Sequence, residues 1–450
     1  MNTPQQRTMK DSKLMRWTVL VLVSFLFFAT YWFQDVFSPL KQLMEDNLGI
    51  DSASFGVVIS ATTWANCLGM ILVGGIILDK WGIRLSAALF GLLVTAGGFL
   101  TTLGASDILT QDPSAKILLM AAGRIIFGIG LEITCVIVSK VVVKWFKGKE
   151  MALAMAINVG FGRLGSFFAV SFSLDIANNQ VMTALGTAAS LIGASFIFLL
   201  VYLVLDKRLD NQLQETVEED DEKFHISDFY KLVKNPTFLW IATLCVVYYS
   251  AVFPFIGAYG PSILHSNFGF TLEDLNIKAL IFEGQFSQYL KSGPKITGLI
   301  PLGSIIFTPI FGSFIDRKGK AASMMLLGSV LLIFSHVSMT FSSSPALAYA
   351  ALFCLGIAFS LVPAAMWPSV AKIVPQSRLG TAYATMFTIQ NWGLALFYWL
   401  PGMILSKSDD NYTAAVSPFL VLGFVSIICA VKLKRSNRKH SYGLEEPFGG

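Results

Sequence analysis

Glu132 and Arg163 carry opposite charges inside long apolar stretches of the sequence, where an ionisable side chain costs about 2.5–3.5 kcal/mol at mid-span. Groups placed at that cost must face a partner or a cavity. Two uses of such a pair are open. A salt bridge between them would fix helix packing. Alternatively, the pair would receive a zwitterion, with Glu132 taking an ammonium and Arg163 gripping a carboxylate bidentately. Asp35, Arg124, Lys140 and His336 are the other ionisable groups singled out in apolar runs. Arg124 and Asp35 suit a structural or a coupling role equally, Lys140 should snorkel to an interface, and His336 reads as structural. Neutral groups near mid-span are Tyr31, Trp32, Asn66, Tyr248, Tyr249, Gln390 and Asn391, with Trp367 nearer one end. Any one of these packs helices more often than it binds a ligand. Asn391 and Tyr249 are the preferred additions to Glu132 and Arg163, and Asn66, Tyr31 and Trp367 complete the candidate substrate-binding set. The spans hold no paired aspartates, no Ser–His arrangement and no clustered metal ligands, so neither catalysis, nor a cofactor, nor a metal is expected.

What must position these groups is a set of membrane helices. Of the 450 residues 54% are hydrophobic and 14% charged, whereas an ordinary soluble domain is roughly 25% charged. Uncharged runs recur at 16–37, 53–78, 83–104, 117–140, 151–177 and 183–205, then at 236–259, 296–315, 321–342, 346–371, 379–405 and 413–433. Each can cross a hydrocarbon core of roughly 30 Å. Unbroken runs of this length are helical, because barrel strands alternate over about ten residues.

Lys and Arg collect in alternate loops, while the opposite set holds only Lys41, Lys116, Lys278, Lys291, Lys295 and Lys407. The positive-inside rule then places both termini in the cytoplasm. Basic residues spread in this way punctuate the spans and form no nucleic-acid patch. The expected organisation is a tail at 1–15, a six-helix bundle at 16–205, a cytoplasmic linker at 206–235, a second bundle at 236–433 and a tail at 434–450. The linker contains the acidic run Glu218–Glu222, and its end, Lys223–Lys234, suits a helix lying on the membrane surface. The tip of the hairpin between spans four and five lies near Lys147. Helix rise therefore puts Glu132 and Arg163 both roughly 23 Å from that tip, at one depth, with Arg124 about 12 Å further from it than Glu132.

The second span ends in Gly75-x3-Asp79-Lys80-x-Gly82 with Arg84 following, and the eighth in Gly312-x3-Asp316-Arg317-x-Gly319. The first glycine of each copy should let helices approach closely, the aspartate should meet a helix N-terminus, and the basic residues could latch the halves together. Two copies at matching places resemble the cytoplasmic-loop signature of the major facilitator superfamily, whose halves rock about a central site. The resemblance implies an all-α membrane protein with the twelve-helix major facilitator fold, two pseudo-symmetric six-helix bundles and both termini cytoplasmic.

A narrower resemblance rests on Gly123–Glu132 (GRIIFGIGLE), Trp145–Glu150 (WFKGKE), Arg163–Ser166 (RLGS) and Ala251–Gly257 (AVFPFIG). Trp367–Pro368, Leu379–Tyr383 (LGTAY), Ile389–Asn391 and Gly393–Ala395 add to it. These stretches are similar to the lysosomal dipeptide transporter branch of the superfamily. That likeness implies uniport of short, cationic dipeptides by alternating access, with the peptide-clamping acid and arginine falling on Glu132 and Arg163. It implies a functional monomer in a lipid bilayer, in the plasma (inner) membrane of a bacterium or the lysosomal membrane of a eukaryote. An accessory single-span subunit belongs only to the eukaryotic case. A proton-coupled symporter for another organic zwitterion or anion is the alternative, and a non-transporting receptor is the alternative of a different class.

Overall fold

The computed structural model describes residues 8–147, 149–213, 231–273, 286–375 and 378–447. Ten helical runs are long and apolar enough to cross a membrane unaided. One of them, Met70–Ala105, carries two crossings in part, because the backbone at Gly82 (φ 71°, ψ 174°) breaks it at the first signature turn. With Ser52–Cys67 and Leu379–Lys407 included, the chain crosses twelve times.

In chain order the helices are α1 (Lys13–Asp35), the short α2 (Lys41–Leu48), α3 (Ser52–Cys67), α4 (Met70–Ala105), α5 (Pro113–Phe146), α6 (Met151–Ala177) and α7 (Val181–Leu213). The second half comprises α8 (Pro236–Pro254), α9 (Gly260–Phe268), the short α10 (Phe286–Lys291), α11 (Gly293–Lys318), α12 (Ala321–Phe341), α13 (Pro345–Ile373), α14 (Leu379–Lys407) and α15 (Tyr412–His440). A π-helical turn at Phe255–Tyr259 joins α8 to α9 after Pro254. Proline removes a backbone donor there, and the wider turn absorbs the break. Several helices outrun the uncharged sequence at the basic end: α5 reaches Phe146, α7 Leu213 and α15 His440. Charged side chains extend a helix into water readily, so an apolar run marks the membrane segment and not the helix. Most of the expected surface helix at Lys223–Lys234 falls outside the described residues, as does Glu218–Glu222.

Within each half the third helix packs on the fourth, α4 on α5 and α12 on α13, and the first on the fifth or sixth, α1 on α6 and α8 on α15. Between the halves, α3 meets α14 and α6 meets α11, two interfaces related by the pseudo-symmetry. Lipid tails supply no hydrophobic drive between helices, so close backbone approach carries the packing. Gly128 of α5 is the extreme case, since a Cβ there would overlap the carbonyl oxygen of Thr62 in α3. Gly128→Ala should therefore lower stability by ~3 kcal/mol, the upper end of overpacking costs. Gly186→Ala, where a Cβ meets nothing within 4 Å, should leave the thermal unfolding temperature in detergent unchanged.

The halves touch at the end opposite the basic loops. Ser38 Oγ donates to Ile256 O at 2.6 Å and Ser52 Oγ to Asp410 at 2.8 Å there, while Trp392 Nε1 donates to Cys67 O at 2.9 Å nearer mid-span. Lys295 pairs with Asp175 and donates to Ser171 O at 2.6 Å. At the basic end, the described pairs Arg16–Glu150 at 3.0 Å, Lys149–Asp11 at 2.5 Å and Lys144–Asp206 at 2.8 Å lie within one half. Hydrogen bonding to Lys149 holds the Asp11 carboxyl well below the usual carboxylate range. That contact is complete above the ordinary Asp value of about 3.9 and is lost only as pH falls through the depressed one.

Candidate substrate site between the two halves

Glu132 on α5 and Arg163 on α6 are both half-buried, and each is met by the other half of the chain. Asn391 Nδ2 on α14 donates to Glu132 Oε1 at 3.5 Å, a contact at the long limit. The Arg163 guanidinium lies 4.2 Å above the Phe359 ring of α13 and 5.9 Å from that of Phe253 on α8. The carboxylate and the guanidinium are therefore each turned across the interface. Tyr31 of α1 is half-buried and sits within electrostatic reach of Glu132, Arg163, Asp35 and Cys135.

Opposite Arg163 stands an aromatic wall from the second half. Trp367 Nε1 donates to Tyr249 Oη at 2.9 Å. Trp367 stacks on Phe387 at 4.8 Å, and Tyr249 on Phe253 at 5.2 Å. Tyr383 Oη donates to the Trp367 carbonyl at 3.2 Å, holding the indole in place. Such ring faces accept a cation, and the hydroxyl–indole bond satisfies the polar atoms that burial would otherwise penalise.

The remaining expected residues are placed differently. Asn391 is fully buried and also donates to Phe387 O at 3.0 Å, leaving its Oδ1 without a partner. Asn66 is buried; its Nδ2 donates to Gly128 O at 3.1 Å, one turn before Glu132, and ties α3 to α5. Arg124 is fully buried, with Nη2 on Gln34 at 3.2 Å, Nη1 on Phe33 O at 3.4 Å, and its guanidinium 4.8 Å over Phe37. Asp35, 3% exposed, lies within reach of Arg124, Arg163 and Ser166. It also abuts the π turn of the other half, where a Cβ on Gly257 would come 2.7 Å from its carboxylate. His336 is buried and stacks on Phe419 at 5.4 Å.

The signature residues need two corrections. A Cβ on Gly75 or Gly312 would meet nothing within 4 Å, so neither glycine serves a close approach here. Nor is the expected latch between the halves seen among the described residues: Asp79 pairs with Lys140 at 3.0 Å and Arg84 with Asp210 at 3.4 Å, both within the first half. Lys80, Gly82, Asp316 and Arg317 are exposed, and Gly319 (φ 71°) ends α11.

Sequence reasoning missed Phe253 and Phe359, which form the floor under Arg163, and the Lys295–Asp175 pair. Asp175 lies inside the expected fifth span, so its charge alone was a usable signal. Lys295 is 1% exposed and Lys41 2%, although both read as outer-loop residues; Lys41 donates to Ser52 at 2.7 Å beside the Tyr412 ring.

Comparison with known proteins fixes the family. The Major Facilitator Superfamily model matches residues 20–290 and 295–447. The chain belongs to the Major Facilitator Superfamily. It is a multi-pass membrane protein of a transporter family. A lysosomal dipeptide transporter, MFSD1 of Danio rerio, is 31% identical over 435 residues, covering 93% of this chain and 86% of that protein. MFSD1 of Homo sapiens is 29% identical over 437 residues, covering 94% and 86%. Among solved structures of the superfamily fold, the D-xylose-proton symporter superposes with a TM-score of 0.69 at 13% identity, covering 94% of this chain and 97% of that one. A bacterial homolog of the human lysosomal transporter Spinster gives 0.69 at 14%, covering 95% and 98%. The nucleoside transporter NupG gives 0.68 at 18%, covering 93% and 98%.

Proposed function

We propose that the protein is a uniporter for short dipeptides, cationic ones foremost, that binds both peptide termini between the halves. The observation that carries this reading is the placement of Glu132 and Arg163. They are opposite charges on adjacent helices, each half-buried and each turned toward the second half. Glu132 takes the terminal ammonium, steadied by Asn391. Arg163 takes the terminal carboxylate bidentately while its other face rests on Phe359. A cationic side chain lies against the rings of Tyr249 and Trp367, which attract it by about 0.5–2 kcal/mol. Because both charges reach across the interface, the bound peptide ties the halves together and biases their rocking. The dipeptide transporters to which the chain is similar support the same substrate class.

The proton-coupled reading has one observation in its favour: the Glu132 carboxylate has a neutral amide, not a cation, as its hydrogen-bond neighbour. Uptake of a lysine-containing dipeptide into proteoliposomes separates the two. A uniporter equilibrates the peptide and gives the same final level with or without an imposed pH gradient. Accumulation above the outside concentration, driven by that gradient, would reject uniport.

A further inference from the structure

The halves differ at a junction where their pseudo-symmetry would make them alike, between the start of the third helix and the end of the sixth helix of each half. In the second half the chain's own tail occupies that junction. The Glu445 carboxylate accepts from Ser323 Oγ of α12 at 2.9 Å and lies 4.0 Å from Lys434 Nζ of α15. The Lys320 N–H donates to Glu445 O at 3.1 Å, and Leu444 is fully buried beside it. The chain thus supplies an anion backed by an apolar side chain. In the first half the corresponding place is a groove of about 530 Å³ between α4 and α7, lined by Arg84, Leu85, Ala88, Leu203, Val204 and Lys207. Among the described residues no tail segment enters it, and Leu85 and Val204 are 54% and 53% exposed.

Charge at this groove is compensated only in part. Asp210 is shared, one carboxylate oxygen lying 3.4 Å from Arg84 and the other 2.7 Å from Lys144, which also holds Asp206 at 2.8 Å. Lys207 has no carboxylate partner among the described residues, and the contact to one Asp210 oxygen leaves further Arg84 donors for a second anion.

We propose that the groove binds an anionic phospholipid, its phosphate held between Arg84 and Lys207 and its acyl chain lying along Leu85, Ala88, Leu203 and Val204. The place fits: the end of a membrane crossing at its basic side is where anionic headgroups and apolar chains meet within one residue length. Arginine matches a phosphate bidentately, as Ser323 and Lys434 match Glu445 in the other half. The apolar wall selects a lipid over a soluble phosphate.

Phosphatidylglycerol, phosphatidylcholine and glycerol phosphate are titrated onto the purified full chain in detergent, and bound lipid is counted by native mass spectrometry. Wild type should bind phosphatidylglycerol in preference to phosphatidylcholine. Lys207→Gln should weaken it about fivefold and Arg84→Gln with Lys207→Gln about 25-fold, as two interfacial cations warrant. Ala88→Phe, which keeps both cations but obstructs the wall, should also lose affinity. Lys80→Gln, exposed at the same end outside the groove, should not. Equal binding of the two lipids, retained affinity in the double variant, or competition by glycerol phosphate alone would overturn the proposal. So would lipid binding that appears only after Glu218–Glu222 is neutralised, which would make the chain's own carboxylates the occupants.

Discussion

Arg163→Ala is expected to weaken dipeptide binding by about 100-fold or more. Removing one partner of a desolvated charge pair costs roughly 2–5 kcal/mol, and each 1.4 kcal/mol is about tenfold. Arg163→Lys should recover little of this, because a point ammonium lacks the planar fork that holds a carboxylate at two atoms. Phe359→Ala should cost less, about 0.5–2 kcal/mol, because it removes the ring 4.2 Å beneath the guanidinium but leaves the charge. Isothermal titration with a lysine-containing dipeptide checks the order. An alanine variant that binds within threefold of wild type would remove Arg163 from the site.

The second large effect belongs to the end opposite the basic loops. Lys295 is 1% exposed and holds Asp175 and the Ser171 carbonyl from across the interface. Asp175→Ala removes the counter-charge that Asp175 supplies to this buried ammonium, and breaking one partner of a buried pair costs about 3–5 kcal/mol in the state that buries it. Only the conformer closed at that end carries this penalty, so the population should move toward the conformer open there and closed at the basic end. A shift of 3 kcal/mol is enough to invert a hundredfold bias. Spin labels across the ends of α6 and α11 opposite the basic loops should therefore report longer distances in Asp175→Ala. Asp175→Leu combined with Lys295→Met, which replaces the pair by apolar volume, should return the wild-type distribution. An unchanged distribution in the alanine variant would mean that the pair does not hold the gate.

Most of the architecture was legible because membrane crossing forces long apolar runs and the repeat duplicates a turn. A common depth for Glu132 and Arg163 was an expectation of the same kind: helix rise is constant, so distance from one hairpin tip could be counted along both helices. Their partners were not. Asn391 meets Glu132 from 259 residues away, and the rings under Arg163 belong to helices that come near only when the halves associate. Asn66 shows the converse limit, since mid-span polarity marks a group that needs a partner without saying whether a ligand or the carbonyl of Gly128 provides it. The open glycines at Gly75 and Gly312 record a conformation, and a sequence that serves several conformations cannot specify which one is observed. The π turn at Phe255–Tyr259 follows from Pro254, whose effect is visible in sequence as a break but not as a widened helix.

The central claim is that Glu132 reads the peptide's ammonium and Arg163 its carboxylate. Binding of one lysine-containing dipeptide in four forms, free, N-acetylated, C-amidated and doubly blocked, tests it in wild type, Glu132→Gln and Arg163→Ala. N-acetylation should weaken binding strongly in wild type and in Arg163→Ala but little further in Glu132→Gln. C-amidation should weaken it in wild type and in Glu132→Gln but little further in Arg163→Ala. Equal losses from each blocking group in all three proteins would contradict the assignment, because neither side chain would then be reading the terminus assigned to it.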